Sequence, residues 1–92
     1  MTERRSFERQ LAEHDVVFSV TEVMGGFASS LERRGKVVDF SERGFGLETE
    51  YPLKRGHIIT IKQKALDKLP THGRVLWSKR VNGKFRAGLK IP

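Results

Sequence analysis

The residues best suited to chemistry in this chain of 92 residues begin with three arginines near its N-terminus. They are Arg4, Arg5 and Arg9, and the last two lie four positions apart. Arginine presents a planar fork of donors that matches a phosphate group and, equally well, the O6/N7 edge of guanine. The same spacing is also compatible with a solvated basic terminus, so its meaning depends on what else the chain carries.

A second cluster follows 30 residues later, in the run Asp39-Phe40-Ser41-Glu42-Arg43-Gly44 at the end of one predicted strand and in the turn into the next. Asp39 is suited to accept hydrogen bonds from the amino and imino edge of a guanine, and Ser41 adds a small donor and acceptor beside it. Gly44 is predicted to take a positive φ in the connection between the two strands. The alternative for the cluster is an Asx or Ser turn that merely closes a hairpin.

Alternating apolar residues predict the strands that would position these clusters. In residues 84–91 the alternation is complete and places Phe85, Ala87, Leu89 and Ile91 inward. Asn82-Gly83 predicts a two-residue turn before this strand. Five further strands are predicted over residues 15–23, 35–40, 45–49, 57–63 and 74–79.

Six short strands without a long helical pattern predict an all-β fold, and a closed antiparallel barrel is favoured because closure removes exposed edges. Residues 1–14 are predicted to form a flexible or weakly helical N-terminal arm that carries the arginines. Residues 15–92 are predicted to form a single barrel domain without a long C-terminal helix. Within it, residues 24–34 lack a clear pattern and are predicted to be a loop.

The net charge of +7 is distributed unevenly, because residues 51–92 contain 11 Lys and Arg against one Asp. Such a surface favours a polyanionic partner: nucleic acid, an anionic membrane or a ligand that bears phosphate. With Tyr51, Trp77 and Phe85 interleaved, a small barrel that binds single-stranded nucleic acid stays open as an alternative. A module that only docks an acidic protein is the other alternative.

Composition and spacing argue against catalysis. The chain has no cysteine, which excludes disulfides, thiolate metal sites and a thiol nucleophile. Its three histidines, His14, His57 and His72, show no metal-ligand spacing and are expected to be exposed without a role. We therefore expect no enzymatic activity and no metal. No apolar run is long enough to span a bilayer and no signal peptide precedes the first strand, so we expect a cytoplasmic protein.

Taken together, the two clusters resemble the motifs of the PilZ domain family. Arg-x-x-x-Arg stands before the first predicted strand, and Asp-x-Ser-x-x-Gly stands between later ones. The similarity extends to residues 35–47, 53–61, 73–77 and 88–91, and so covers nearly the whole chain in order. The spacing of 30 residues between Arg9 and Asp39 is at the long end for the family.

This resemblance implies a six-stranded barrel that acts as a receptor for the bacterial second messenger cyclic di-GMP, with no other cofactor. It implies a clamp on guanine and phosphate from the N-terminal arginines, an opposite wall from the second motif, and a strand residue near the ligand. Those residues are Arg4, Arg5 and Arg9 for the clamp, Asp39, Ser41 and Gly44 for the wall, and Trp77 near the ligand. For Trp77 the alternative is core packing on the same face as Val75.

The resemblance also implies an output. Ordering of the N-terminal arm on binding would change the surface offered to a downstream protein partner, in the control of motility or biofilm formation. Nucleic acid is not the expected partner, membrane insertion is not expected, and the protein is expected to be a monomer or a weak dimer.

Overall fold

Six antiparallel strands close into a barrel in a computed structural model, which describes residues 10–24, 27–64 and 69–92. The strands are β1 (Gln10–Met24), β2 (Phe27–Phe40), β3 (Gly44–Thr49), β4 (Ile58–Lys64), β5 (His72–Val81) and β6 (Lys84–Lys90). Their order around the barrel is β1-β2-β3-β6-β5-β4, and β4 returns to pair with β1. The predicted fold class is confirmed, and the described residues contain no helix.

Most of the inward-facing residues that the alternation predicts fill the barrel, whereas Phe85 and Ile91 are only half-buried. Val16, Phe18 and Val20 of β1 are buried, as are Ala87 and Leu89 of β6. Removing a large apolar side chain from water contributes about 1.5–3 kcal/mol, so these positions stabilise a small barrel substantially. The largest fully buried side chains are Phe18, Phe45, Leu47, Ile59, Val37 and Val75.

The predicted loop over residues 24–34 is wrong. Residues 27–34 belong to β2, which pairs with β1 from Met24 opposite Phe27 to Val17 opposite Arg34. Among the described residues, this part of β2 has no second neighbouring strand, because its pairing with β3 begins only at Gly35. Residues 30 and 32–34 are therefore exposed, and the sequence shows no alternation there because there is no buried face to record.

β1 begins earlier than the alternation suggests. The sequence predicts its start at residue 15, whereas the ladder begins with Gln10 opposite Phe40 and Leu11 opposite Asp39. A register shift between Leu11 and His14 interrupts the two-residue period, which hides this part of the strand from pattern analysis. As a result, the chain enters the barrel directly beside the second motif.

Two glycines expected at turns behave differently. Asn82 and Gly83 have φ values of 51° and 79°, which confirms the predicted two-residue turn between β5 and β6. The expected positive φ at Gly44 is wrong, since only Gly56 and Gly83 have one among the described glycines. Gly44 is required for a different reason: a Cβ there would overlap the backbone carbonyl oxygen of Leu89 on β6.

Gly83→Ala is expected to destabilise the protein by about 1–2 kcal/mol, the cost of a left-handed backbone for a residue with a Cβ. An added Cβ at Gly83 would meet nothing within 4 Å, so the cost is conformational and not steric. Thermal unfolding should show a lower midpoint, by about 4–8 °C per kcal/mol for a domain of this size. Lys84→Ala, at an exposed neighbour, should leave the midpoint nearly unchanged; an equal effect of both substitutions would contradict the assignment of the turn.

His57 does not follow the expectation of exposure. Only 5% of its surface is accessible, and its Nδ1 accepts a hydrogen bond of 3.1 Å from the backbone N–H of Lys54. The backbone N–H of His57 donates a hydrogen bond of 3.1 Å to the Lys54 carbonyl, which closes the turn before β4. Glu22 Oε2 lies 3.5 Å from Nε2. His57 therefore has a structural role in the turn, which its sequence context does not reveal.

Candidate functional site

The turn between β2 and β3 is held by Ser41. Its backbone N–H donates to the Gly44 carbonyl at 2.9 Å, and its Oγ accepts a hydrogen bond of 3.3 Å from the Arg43 N–H. Ser41 thereby fixes the short connection after Asp39 and sets the direction in which β3 begins. In the structure it acts on the shape of the turn, as the hairpin alternative predicts, and it does so next to the candidate site.

Four residues form a lateral row across four adjacent strands. Asp39 on β2 lies opposite Gly46 on β3, Gly46 lies opposite Gly88 on β6, and Gly88 lies opposite Trp77 on β5. With strands about 4.8 Å apart, the row from Asp39 to Trp77 is about 14 Å long when measured along the curved sheet. The structure thus aligns a predicted site residue from each half of the chain, with two glycines between them.

The two glycines allow the flanking side chains to lie flat on the barrel. A Cβ on Gly46 would be 3.0 Å from Asp39 Oδ1, so the carboxylate lies over this glycine. A Cβ on Gly88 would overlap Nε1 and Cε2 of Trp77, so the indole lies over that one. Both side chains therefore lean toward each other from opposite ends of the row.

Sequence reasoning missed Gly46 and Gly88. The signal was present, because a glycine inside a strand pattern marks a bulge or a close approach of other atoms. Both lie inside predicted strands, in Phe45-Gly46-Leu47 and Ala87-Gly88-Leu89. Which side chain approaches each glycine depends on strand order and register, which the pattern does not give.

Trp77 is outside the core, and the core-packing alternative for it is wrong. Val75 is 1% exposed, whereas Trp77 is 48% exposed. A register shift between Val75 and Trp77 explains the difference, because Leu76 is an extra residue with no partner on β6. The bulge reverses the inward and outward alternation and turns the indole onto the outer surface.

A cavity of about 370 Å³ lies over this row. We call it the glycine trough, defined by a floor of Gly44, Gly46 and Gly88 and by Asp39 and Trp77 at its ends. Three cations also line it: Arg43, Arg86 and Lys90. Since Asp39 is the only carboxylate in this lining, the described walls carry an excess of positive charge and are suited to an anionic, planar ligand.

Sequence reasoning also missed Arg86 and Lys90. They flank Gly88 at two-residue spacing on β6, so they share its outward face. The sequence does place both in solvent, but it does not show that this face borders the second motif. That follows from the pairing of β6 with β3, in which Gly44 lies opposite Lys90 and Glu48 opposite Arg86.

Two larger cavities, of about 570 and 540 Å³, lie elsewhere, along the strand segments around Gly35. The larger one mixes Asp15, Glu48 and Glu50 with Arg33, Arg34, Lys36 and Lys84 and contains no predicted site residue. Its opposite charges offset one another, which disfavours a strongly charged ligand. We therefore assign the candidate site to the smaller glycine trough, where three of the predicted residues meet.

The three residues of the predicted arginine clamp, Arg4, Arg5 and Arg9, lie outside the described residues. The described chain begins at Gln10, opposite Phe40, and continues with Leu11 opposite Asp39. The point from which the arginines extend is therefore adjacent to the second motif, at the Asp39 end of the trough.

The described residues contain no group of histidine and carboxylate side chains that could hold a metal ion. Nor does this part of the chain contain a helix long and apolar enough to cross a bilayer. Among models of known protein families, the one described as PilZ domain matches residues 3–92. A search of curated proteins finds no match.

Proposed function

The chain belongs to the PilZ domain family, since the match covers essentially its whole length, and on this premise we propose that it is a non-enzymatic receptor for cyclic di-GMP. The family as a whole is one of receptors for this second messenger. The observation that carries the proposal for this chain is the row from Asp39 to Trp77, which joins the second motif to an exposed aromatic ring across two glycines.

The charges of the glycine trough suit this ligand. Cyclic di-GMP presents two anionic phosphates and two guanine edges. Arg43, Arg86 and Lys90 supply cations for the phosphates, and hydrogen bonds to charged groups contribute about 1.5–3 kcal/mol each. Asp39 supplies the carboxylate that a guanine amino and imino edge requires.

Trp77 supplies a stacking surface at the other end of the trough. Stacking of a base on an aromatic side chain contributes about 1–3 kcal/mol. Lys79 Nζ lies 5.7 Å from the centroid of the indole and keeps a positive charge beside it. In this proposal Ser41 and Gly44 shape the wall below Asp39, through the turn and through the close approach of β3 to β6.

The arginines can reach the trough from where the described chain begins. Arg9 is bonded to Gln10, and five residues of extended chain from Arg5 to Gln10 span at most about 18 Å. Arg5 and Arg9, with Arg4 as an auxiliary, would then cover the ligand from the Asp39 end. Residues 1–9 would become part of the surface offered to a downstream protein, which gives binding an output.

Calorimetric titration with cyclic di-GMP tests the proposal directly. We expect measurable heat at micromolar ligand, because binding at that concentration needs only about −8 kcal/mol. Trp77 is the only tryptophan, so its fluorescence should change in parallel. No heat at tens of micromolar ligand with a folded barrel would refute receptor function. Salt-sensitive binding of single-stranded oligonucleotides together with indifference to cyclic di-GMP would favour the nucleic-acid alternative instead.

A further inference from the structure

Strand β5 is paired along both edges only in its first part. Its ladder with β4 has three pairs, from Thr60 opposite His72 to Ile58 opposite Arg74. Two backbone hydrogen bonds of 2.9 Å extend this ladder. One runs from the Val75 N–H to the His57 carbonyl, and the other from the Gly56 N–H to the Val75 carbonyl. Beyond this point, residues 76–81 form backbone hydrogen bonds only with β6 within the described chain.

The turn at Asn82-Gly83 determines which groups this edge presents. In a two-residue hairpin the flanking residues, Val81 and Lys84, exchange both backbone hydrogen bonds, and the pattern then alternates. Lys79 opposite Arg86 is the next pair bonded in this way. The N–H and C=O groups of Ser78 and Arg80 therefore point away from β6, toward the side on which the ladder with β4 has already stopped.

The surroundings of this edge are basic. Lys79 and Arg80 are exposed on it, and Lys54 and Arg55 are exposed in the turn where β4 begins. Residues 51–64 and 69–92 contain no Asp or Glu. None of these four cations forms an ion pair with another described residue. Leu76, 44% exposed, adds an apolar side chain where the ladder with β4 stops.

We propose that residues 76–81 of β5 bind an extended acidic segment of a partner protein, which adds to the barrel as a further strand. Unpaired edge groups provide the backbone hydrogen bonds for such strand addition, and the neighbouring side chains provide selectivity. Lysine and arginine on an edge repel another basic strand and would lose hydration beside an uncharged one, which protects the edge from aggregation. The same charges attract an acidic strand, so the basic residues explain both why the edge excludes basic strands and why it selects acidic ones.

Among the anionic partners, the edge favours a peptide. Nucleic acid is bound through its phosphates by cations and through its bases by stacking, and it does not need paired N–H and C=O groups spaced as on a strand. A peptide strand uses both the cations and the Ser78 and Arg80 backbone. This inference does not depend on the proposed receptor function, because the edge lies outside the lining of the glycine trough except at Leu76 and Trp77.

Amide hydrogen exchange with a synthetic peptide of alternating glutamate and valine tests the proposal. At saturation we expect exchange of the Ser78 and Arg80 amides to slow at least tenfold. The Lys79 amide, already bonded to β6, should not change. A peptide of alternating lysine and valine serves as the control and should have no effect.

Four results would overturn the proposal. The Ser78 and Arg80 amides could already be protected from exchange in the free monomer, or the acidic peptide could leave their exchange rates unchanged. Protection could also arise from dimerisation of the protein, or oligothymidylate could slow the exchange of these amides while the peptide does not. Each assigns the edge to another role, respectively to the fold, to no partner, to a second copy or to nucleic acid.

Two substitutions separate the backbone from the charge contribution. Arg80→Pro removes an N–H that the ladder with β6 does not use, so the barrel should persist while peptide affinity falls at least tenfold. Arg80→Gln keeps that N–H, so its affinity for the acidic peptide should fall less than that of Arg80→Pro. The double substitution K79E/R80E should reverse the preference, so that the lysine peptide binds and the glutamate peptide does not. A folded double variant that keeps the original preference would contradict the proposal.

Discussion

Replacing Arg5 and Arg9 together with alanine is expected to weaken the binding of cyclic di-GMP at least a hundredfold. Each arginine would donate charge-assisted hydrogen bonds to phosphate or to a guanine edge, and each such bond contributes about 1.5–3 kcal/mol. Loss of two amounts to about 3 kcal/mol or more, and 1.4 kcal/mol corresponds to a tenfold change in affinity. Calorimetric titration of the double variant measures the effect.

The matched control is R33A/R34A, which removes the same charge from the exposed part of β2. Arg33 stacks over Tyr51 at 5.1 Å from the ring centroid, and neither arginine lines the glycine trough. Affinity should change little in this variant. Equal losses of affinity in the two variants would show that Arg5 and Arg9 act only through their general positive charge. Unchanged affinity in R5A/R9A would show that neither arginine binds the ligand, and the glycine trough would then be tested separately.

The core of the barrel could be predicted from sequence because burial of one face leaves a period of two. Val16, Phe18 and Val20 show this clearly, and each is buried. The period fails where it has no physical basis. Within the described chain, residues 27–34 of β2 pair only with β1, and residues 30 and 32–34 are exposed, so the sequence shows no two-residue period there and predicts a loop.

The candidate site was predictable only within a local segment. The motif from Asp39 to Gly44 is contiguous, so its turn and its strand ends follow from sequence. The opposite end of the trough depends on two things that no local pattern contains. One is the pairing of β6 with β3, and the other is the bulge at Leu76 that turns Trp77 outward.

Gly44→Ala is expected to destabilise the barrel by about 1–3 kcal/mol and to weaken ligand binding with it. The added Cβ would overlap the Leu89 carbonyl oxygen, which is backbone of β6 and cannot rotate away. Strands β3 and β6 would have to separate, which is the kind of overpacking that costs this much in a closely packed structure. Urea denaturation measures the loss of stability, and calorimetry measures the loss of affinity.

Gly88→Ala is the informative comparison, because its added Cβ would overlap a side chain instead of backbone. The indole of Trp77 can move aside, so stability should change less than in Gly44→Ala while the tryptophan emission shifts. The two substitutions thus distinguish the two uses of glycine in the trough: one permits two strands to approach, and the other holds an aromatic ring flat. Equal stability of the Gly44→Ala variant and the native protein, or an unchanged emission in Gly88→Ala, would contradict the corresponding contact. If both effects appear, the glycine trough depends on Gly44 for the close approach of β3 to β6 and on Gly88 for the position of the Trp77 indole. Its shape is then a property of the fold that exists before any ligand binds.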